Sequence, residues 1–454
     1  MARVLFGLVT LCAGYLFFFP PFAVTNGGPA TLAIIIFTML LWASGLLAES
    51  LTAILFFTFA TLIRLAPPEI IFSGLTSSPF WLIFSGLVIG AAIRESGLGN
   101  HIAGILARHI DSSYRIALTS TVLFGLAMSF LMPSAMGRIL LILPILKELA
   151  EKLGHKQGSS PHTGLVIGGI MGTLLPSFAI LPANIPNNIL AGIIESTTGQ
   201  ALGFGDYFIV HFPILGLAKT ILLLAVLHVY YRGADKRAQQ KKADAARPMS
   251  AKQKQMAILL TTALALWSMD GWHHVSPAWI GMAVAAICLL PWSGFLPAKG
   301  LQTINLEPLF YVGGVMGVGA LLTHSGLSQN LAAWMLGLVS LVPGDNAINF
   351  MKLSGTSVAV GLLTTLPGIP AVLTPLSSEL AVATGFSTTT VLVTQVIGFS
   401  TIVLPYQAPP LILAMQSGQL PRRELTVLCL ITAVMTAIVL WPLEYLWLEM
   451  IGLI

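Results

Sequence analysis

The sequence predicts an all-α polytopic membrane protein with about eleven transmembrane helices and two re-entrant hairpins, arranged as an inverted-topology repeat. Of its 454 residues, 56% are hydrophobic and 9% are charged, and the mean hydropathy is +0.88. A soluble domain carries about 25% charged residues. Apolar segments near the roughly 20 residues that a bilayer crossing needs fill the chain. Their pattern also occurs twice, with interruptions at corresponding positions.

The interruptions follow the same landmark in each half. Ser-Gly-Leu at 96–98 precedes interruptions at 131–137 and 181–188, and Ser-Gly-Leu at 325–327 precedes interruptions at 366–370 and 404–410. Unwound backbone in hydrocarbon leaves N–H and C=O groups unpaired, which is tolerated where they line a cavity or bind a ligand. Interrupted segments at corresponding positions of two halves therefore point to the binding site of a transporter.

The chain divides into four parts on this pattern. Residues 1–28 are expected to form an uncleaved N-terminal helix, 29–231 the first repeat, 232–254 a basic cytoplasmic linker, and 255–454 the second repeat. The apolar stretches 116–152 and 349–385 carry their Pro/Gly interruption near the middle, which predicts two re-entrant hairpins. The eleven spans are predicted near 4–22, 29–48, 50–66, 79–97, 164–194, 207–231, 256–271, 277–292, 306–325, 388–416 and 424–448. Among these, 164–194 and 388–416 are predicted to be broken helices.

The distribution of basic residues predicts the orientation. With a cytoplasmic N-terminus, most Lys and Arg residues fall in inside connections and in the 232–254 linker, and only Arg64 and Lys352 are left outside. Reading 116–152 as a crossing would invert every later loop and remove this agreement. We therefore expect an integral protein of a bacterial inner (plasma) membrane with its C-terminus outside, in which the two repeats have opposite orientation.

Composition and motifs exclude several other classes. Most of the basic residues lie in short loops, as topology determinants do, so we expect no nucleic-acid partner. No phosphate-binding loop or nucleophile elbow is present. An intramembrane enzyme needs a hydrophilic catalytic pair within the bilayer, and the predicted spans contain none. An anion channel stays open as an alternative, since hairpin folds also build pores.

Paired motifs at the interruptions carry a resemblance to a known family. Ser134-Ala135-Met136 stands ten residues before Pro144, and Thr365-Leu366-Pro367 stands ten before Pro375. The second interruptions read Ile-Pro-Asn-Asn at 185–188 and Ala-Pro-Pro-Leu at 408–411, and each is followed by Ile-Leu-Ala. From about residue 30 to 450 this order resembles the divalent anion:sodium symporters, which carry dicarboxylates, citrate or sulfate. Family members have Ser-Asn-Thr at each hairpin tip, whereas neither tip here has the asparagine.

The resemblance implies a mechanism and a set of partners. Hairpin tips and helix breaks would form two sodium sites with a small anionic substrate between them. A transport domain would move past a scaffold in an elevator-type motion, within a lipid bilayer and in a homodimer. No cofactor and no metal are expected beyond sodium as the coupling ion.

The candidate site residues lie at the interruptions or are cations within apolar segments. Half-helix N-termini favour anionic oxygens, and unwound carbonyls with Asn or Thr oxygens hold cations. The alternatives are that Ser or Thr in a helix bonds its own backbone and that Asn near Pro caps a helix. The predicted substrate-binding residues are Ser134, Met136, Gly137, Arg138, Asn187, Asn188, Thr365, Pro367, Gly368 and Pro409. The predicted ion-coupling residues are Ser134, Asn184, Asn188, Lys219, Thr364, Thr365 and Gln407.

Arg138 and Lys219 suggest a departure from sodium coupling. Ionisable residues within a membrane usually face a cavity, a partner or an ion path, although either cation could instead reach a local carbonyl or the interface. A fixed guanidinium or ammonium could take the place of a bound sodium ion. The sequence therefore predicts a secondary active transporter of a small dicarboxylate, citrate or sulfate-like anion. Sodium coupling, sodium-independent exchange and a proton-linked carrier of an oxyanion or organic acid remain open.

Overall fold

A computed structural model describes residues 2–19, 28–99, 101–102, 113–198, 202–231, 248–297 and 299–454. Every regular element in these ranges is helical, as the sequence predicts. Most of the predicted linker, 232–247, lies outside the described residues.

The described part of the first half contains nine principal helices. Short turns of helix at Pro68–Ile71 and Ser73–Thr76 join the third to the fourth. In chain order the nine are α1 (Ala2–Phe18), α2 (Gly28–Ser44), α3 (Glu49–Leu62), α4 (Ser78–Ser96), α5 (Tyr114–Leu131), α6 (Ala135–Lys152), α7 (Ser160–Leu174), α8 (Ile185–Thr198) and α9 (Phe204–Tyr230).

The described residues of the second half form nine more. Short helical turns at Asp270–His273, Pro291–Ser293 and Gly300–Thr303 lie in its connections. In chain order the nine are α10 (Ala251–Ser268), α11 (Pro277–Leu289), α12 (Glu307–His324), α13 (Leu327–Leu338), α14 (Asn346–Leu363), α15 (Gly368–Thr384), α16 (Thr388–Ser400), α17 (Pro409–Gly418) and α18 (Arg422–Met450).

The lengths and surfaces of these helices suit a membrane. Among the described residues, five helices are long and apolar enough to cross one, or seven if two bent pairs each count as one span. Large apolar side chains on α9 and α18 are exposed, including Ile221 at 62% and Ile438 at 63%. Exposed apolar surface of this kind is stable against lipid. The total of eleven spans stays a prediction.

Both expected hairpins are pairs of helices separated by a short irregular tip. Only residues 132–134 separate α5 from α6, and α14 and α15 are bent by 117° at their junction. The broken helices also form. Two 3₁₀ turns, Pro176–Ala179 and Leu181–Ala183, separate α7 from α8, and α16 is separated from α17 by a stretch holding one 3₁₀ turn, Pro405–Gln407.

Local interactions repeat between the halves. α7 and α16 each begin after a serine whose hydroxyl accepts a backbone N–H three residues on, Ser159 from His162 at 3.4 Å and Ser387 from Thr390 at 3.1 Å. Such caps satisfy helix N–H groups that lack an intrahelical partner. α9 and α18 each contain a π-helical segment, Phe212–Ala218 and Thr436–Leu440. The repeat therefore extends from sequence motifs to backbone irregularities.

Two glycines allow the first arm of each hairpin to pack closely on a broken helix. A Cβ on Gly172 would lie 2.6 Å from the carbonyl oxygen of Val122, and a Cβ on Gly398 would lie 2.1 Å from the Cβ of Ser357. Each glycine stands two residues before the end of α7 or α16. A larger side chain at either position would push the hairpin away from its break.

Three hydrophobic clusters divide the interior. The largest is built mostly from the hairpins, the broken helices, α9 and α18, and includes Phe178, Phe350 and Phe399. The two others are built mostly from α2, α3, α4 and α10–α12. α13 was not predicted from the sequence, and the hairpin boundaries differ from the predicted ones by at most three residues.

Candidate functional site

A small cavity lies where both hairpin tips and both helix breaks meet. Its volume is about 100 Å³. On one side it is lined by α3, α4 and α12, through Glu49, Ile83, Leu87, Pro308 and Tyr311. On the other side it is lined by the tips and breaks, through Pro133–Met136, Leu174, Phe178, Asn184–Pro186, Leu366, Pro367 and Ala408–Pro410.

Four helix N-termini reach this cavity. α6, α8, α15 and α17 begin at Ala135, Ile185, Gly368 and Pro409, and each start or the residue before it lies in the cavity wall. The N-terminus of a helix carries a partial positive charge of about half a unit. Four such ends around one small volume create a positive potential in apolar surroundings, which favours an anion.

Ser134 caps one of these helices. Its hydroxyl accepts the backbone N–H of Gly137 at 3.2 Å, and its backbone has the extended conformation of a helix N-cap. The side chain also lines the cavity. Ser134 therefore fixes the first tip and presents its oxygen to the site.

Arg138 is fully buried behind the first tip. A guanidinium has five N–H donors, and the structure gives it five oxygen contacts. Nη1 donates to the carbonyl oxygens of Met132 at 2.6 Å and Ala183 at 2.9 Å. Nε donates to Thr173 Oγ1 at 3.0 Å, and Nη2 donates to Thr173 O at 3.2 Å and Ser177 Oγ at 3.1 Å. All five acceptors are neutral, so no carboxylate among these partners balances the positive charge of Arg138.

The asparagines of the first break have different environments. Asn184 Nδ2 donates to Ser177 Oγ at 2.7 Å and Asn184 lines the cavity. Asn187 Nδ2 donates to the carbonyl of Ile180 at 2.8 Å, which holds the turn between the two 3₁₀ segments. The Oδ1 atoms of Asn187 and Asn188 are buried and accept no hydrogen bond from the described residues.

The second break is held mainly by one glutamine. Gln407 Oε1 accepts the backbone N–H groups of Val403 and Leu404 at 2.9 and 2.8 Å. The main-chain carbonyl oxygen of Gln407 accepts the N–H of Leu366 at 3.0 Å, which connects the second hairpin tip to the break. Gln407 Nε2 is buried and has no acceptor among the described residues.

The threonines of the second tip contact different parts of the protein. Thr364 Oγ1 donates to the carbonyl of Val360 at 2.8 Å, within its own helix. Thr365 Oγ1 lies 3.5 Å from the hydroxyl of Tyr311 on α12. Thr365 thus connects the hairpin to the opposite wall of the cavity.

Lys219 reaches the second break from α9. Its side chain is 1% exposed, and Nζ donates to the carbonyl oxygen of Ser400, the last residue of α16. A buried cation therefore engages a main-chain oxygen at each helix break, Arg138 at the first and Lys219 at the second.

The structure brings together part of the predicted set. Of the predicted residues, the cavity wall contains Ser134, Met136, Asn184, Pro367 and Pro409. The others lie behind the wall or beside it, namely Gly137, Arg138, Asn187, Asn188, Lys219, Thr364, Thr365, Gly368 and Gln407. Sequence reasoning missed Glu49, Phe178 and Tyr311. For Glu49 a signal existed, because it is a carboxylate at the start of an apolar segment.

The protein is apolar and helical, and two sets of broken helices surround an internal cavity. This arrangement is typical of the class of integral membrane transporters. The family model for the sodium:sulfate symporter transmembrane region matches residues 3–454. The chain belongs to this family, the divalent anion:sodium symporters, which confirms the resemblance carried by its motifs. Its members are transporters and not enzymes.

Curated relatives are bacterial. A protein named L-tartrate/succinate antiporter from Escherichia coli (strain K12) is 26% identical over 302 residues, which cover 64% of this chain and 57% of that protein. A protein named only membrane protein, from Cupriavidus necator, is 25% identical over 336 residues, covering 69% of this chain and 65% of that one. The matches thus span less than two thirds of each relative's length.

Two solved transporters share the fold. The YdaH transporter of Alcanivorax borkumensis superposes with a TM-score of 0.53 at 14% identity, covering 87% of this chain and 89% of that one. MtrF of Neisseria gonorrhoeae, described as illuminating a class of antimetabolite efflux pumps, gives 0.53 at 14% identity, covering 98% and 94%.

Proposed function

We propose that this protein is a secondary transporter that exchanges small divalent organic anions across a bacterial inner membrane by alternating access. The observation that carries the proposal is the meeting of four helix N-termini at one cavity, backed by the fully buried Arg138. Fixed dipoles and a fixed cation lower the free energy of an anion there.

A dicarboxylate suits the site better than a large solute. The cavity is small, at about 100 Å³, and its polar groups come from opposite ends, at Ser134 and Asn184 on one repeat and at Tyr311 on the other wall. A short solute with a carboxylate at each end can meet two helix ends at once. The relative named L-tartrate/succinate antiporter supports the same class. Citrate and sulfate are competitors to be tested beside it.

The two buried cations support transport without sodium. Sodium is held by main-chain and amide oxygens, and at the first break the carbonyls of Met132 and Ala183 are engaged by Arg138. At the second, the carbonyl of Ser400 is engaged by Lys219. A fixed cation supplies the positive charge that a bound sodium ion would bring. Because it cannot leave, the loaded anion must be exchanged for another.

The hydrophobic clusters support an elevator-type motion. The hairpins, the broken helices, α9 and α18 share the largest cluster, whereas α2–α4 and α10–α12 contribute most of the other two. We propose that the first group moves as a transport domain against the second as a scaffold. One polar contact between the two groups near the cavity joins Tyr311 to Thr365. The scaffold would pair two copies in a homodimer.

Exchange by the purified full chain in proteoliposomes tests the proposal. Vesicles loaded with unlabelled succinate or L-tartrate should take up the labelled anion, equally well in sodium and in choline salts, and empty vesicles should take up little. The Asn184→Ala variant should slow exchange at least about tenfold, whereas Asn330→Ala, on α13 and outside the cavity wall, should not. Absence of exchange with every divalent anion tried would overturn the function.

Sodium symport is a second candidate, favoured by one observation. The Oδ1 atoms of Asn187 and Asn188 are buried acceptors with no donor among the described residues, and amide oxygens are suitable sodium ligands. The choline arm of the same assay separates the two candidates. Uptake into empty vesicles that requires an inward sodium gradient would select symport, and in that case Asn188→Ala should abolish it.

A further inference from the structure

Three ionisable side chains meet in the interior where α9 packs against α18. The side chains of His211 and Glu444 are 3% and 0% exposed, and Lys219 is 1% exposed. Charged groups inside a membrane protein are expensive unless they are paired or used. None of the three lines the central cavity, so anion binding alone does not account for them.

The Glu444 carboxylate has unused capacity. Its Oε1 lies 3.5 Å from His211 Nδ1, yet neither carboxylate oxygen accepts a hydrogen bond from the part of the chain that the structure describes. Lys219 attracts the carboxylate electrostatically, but its Nζ donates to the carbonyl of Ser400. Tyr207 interacts electrostatically with the carboxylate, and its hydroxyl donates elsewhere, to the carbonyl of Phe178 at 2.8 Å. Among the described residues, His211, Lys219 and Tyr207 are the ionisable groups that interact with Glu444.

A crevice leads to this cluster from the surface. It has a volume of about 590 Å³ and is lined by His211 and Tyr207 together with the exposed Asp206 and Ile209. His211 stands at the inner end of this path, with Glu444 behind it. Water in the crevice can therefore deliver a proton to the imidazole without crossing the central cavity.

Irregular backbone places all three groups. The π-helical segment Phe212–Ala218 separates His211 from Lys219, and the segment Thr436–Leu440 ends four residues before Glu444. π-segments are uncommon and are frequently found at functional sites. Here the two corresponding helices of the repeats carry one each, and the ionisable cluster lies beside both.

The cluster also contacts the transport site. Tyr207 holds the carbonyl of Phe178, whose side chain lines the central cavity. Lys219 holds the end of α16, and Trp441 Nε1 donates to Thr401 Oγ1 in the second break at 3.4 Å. These two contacts join α9 and α18, which carry the cluster, to the second break.

We propose that Glu444 and His211 form a proton-binding site, entered through this crevice, whose occupancy changes the charge beside the second helix break and so couples protons to anion transport. The coupling, but not the site, rests on the proposed function. A proton from crevice water binds the neutral His211 imidazole, and the imidazolium passes a proton to Glu444 Oε1. Imidazole returns to its neutral form, the carboxylate becomes a carboxylic acid, and the cluster gains one positive charge that favours the anion.

The binding step is tested on purified full-length protein by infrared difference spectroscopy across an acid-to-alkaline pH series. Wild type should show the C=O band of a buried carboxylic acid that appears with falling pH. Glu444→Gln should lose that band, whereas Glu449→Gln should keep it, because Glu449 is exposed on the same helix. A band that survives in E444Q would belong to another carboxyl group, and the absence of a band in wild type would show that Glu444 stays ionised in a permanent pair. Either result would overturn the site.

A second variant keeps the test decisive if E444Q fails to fold. Lys219→Gln removes the opposite charge that favours the ionised carboxylate. The pH at which the carboxylic-acid band is half formed should therefore rise by about one unit or more. An unchanged midpoint in K219Q would contradict the assignment to Glu444.

The transport arm separates the site from its coupling. Wild-type anion exchange should be faster at acid pH, and in E444Q the ratio of acid to neutral rates should fall to about one, with E449Q as the control. If the band behaves as expected but no anion is exchanged, the proposed function fails and the proton site stands. If exchange occurs with the same pH ratio in E444Q, the coupling is wrong.

Discussion

Arg138 Nη1 donates to the carbonyl oxygen of Ala183 at 2.9 Å, across 45 residues of chain. The same nitrogen holds Met132 at the tip of the first hairpin, so one side chain joins the tip to the break in the helix that follows. Both carbonyls are there because the backbone is unwound, and in apolar surroundings each would otherwise lack a partner.

Removing this guanidinium should destabilise the protein more than removing a surface charge. Arg138→Gln keeps at most two of five donors, so at least three charge-assisted hydrogen bonds to buried oxygens are lost, each worth about 1.5–3 kcal/mol. Thermal unfolding in detergent should show a clear drop relative to Arg422→Gln, which changes an exposed arginine. Equal unfolding temperatures for the two variants would contradict the structural role.

The close contacts of Gly172 and Gly398 should be sensitive to the size of a side chain introduced at these positions. Gly172→Val or Gly398→Val places methyl groups where a Cβ alone already lies 2.6 Å from Val122 O or 2.1 Å from Ser357 Cβ, and overpacking typically costs about 1–3 kcal/mol. Size-exclusion chromatography and thermal unfolding measure the effect. Gly355→Ala on α14 is the control, because a Cβ there meets nothing within 4 Å, and it should be neutral or stabilising by about 1 kcal/mol.

The carboxylate of Glu49 faces a site that we propose for anions. Glu49→Gln removes a repulsion of about 1 kcal/mol at contact distance in water, so divalent anions should bind roughly fivefold more tightly. Ligand-induced thermal stabilisation with succinate measures this. Glu307→Gln, an exposed carboxylate on the adjoining α12, should change nothing. Weaker binding in E49Q would instead indicate that Glu49 accepts a hydrogen bond from the substrate.

The contact between Tyr311 and Thr365 joins the proposed scaffold to the second hairpin. Tyr311→Phe deletes one hydroxyl of a long 3.5 Å pair, so the loss should be at the low end of hydrogen-bond values, about 0.5 kcal/mol. The apparent affinity for the exchanged anion should fall about twofold with little loss of unfolding temperature. A larger fall in stability than in affinity would show that the contact stabilises the fold and does not act in the transport cycle.

The sequence predicted the irregular backbone well because proline and glycine act locally. The prolines at 133, 182, 186, 367 and 409 mark tips or breaks that the structure contains. A hydrogen bond between Ser134 and the backbone of its own helix was one of the two alternatives that the sequence left open, and it coexists with a place in the cavity wall.

What the sequence could not predict are contacts made across long separations. Lys219 and Ser400 are 181 residues apart, and nothing local to either residue signals the other. α13 was missed for a different reason. Its sequence follows a Ser-Gly-Leu landmark that marked the end of a span, and its counterpart in the first half lies largely outside the described residues.

The two connections between hairpin tip and helix break differ in the atoms that form them. The first depends on a side chain, whereas the second includes the bond from the Leu366 N–H to the Gln407 carbonyl, which is made by main-chain atoms alone. A main-chain bond survives exchange of either residue for any but proline at 366. A single substitution at position 138 can therefore change the first connection between tip and break. The second connection persists through most substitutions. New ion dependence or substrate range in related proteins should arise mainly through changes in the N-terminal half.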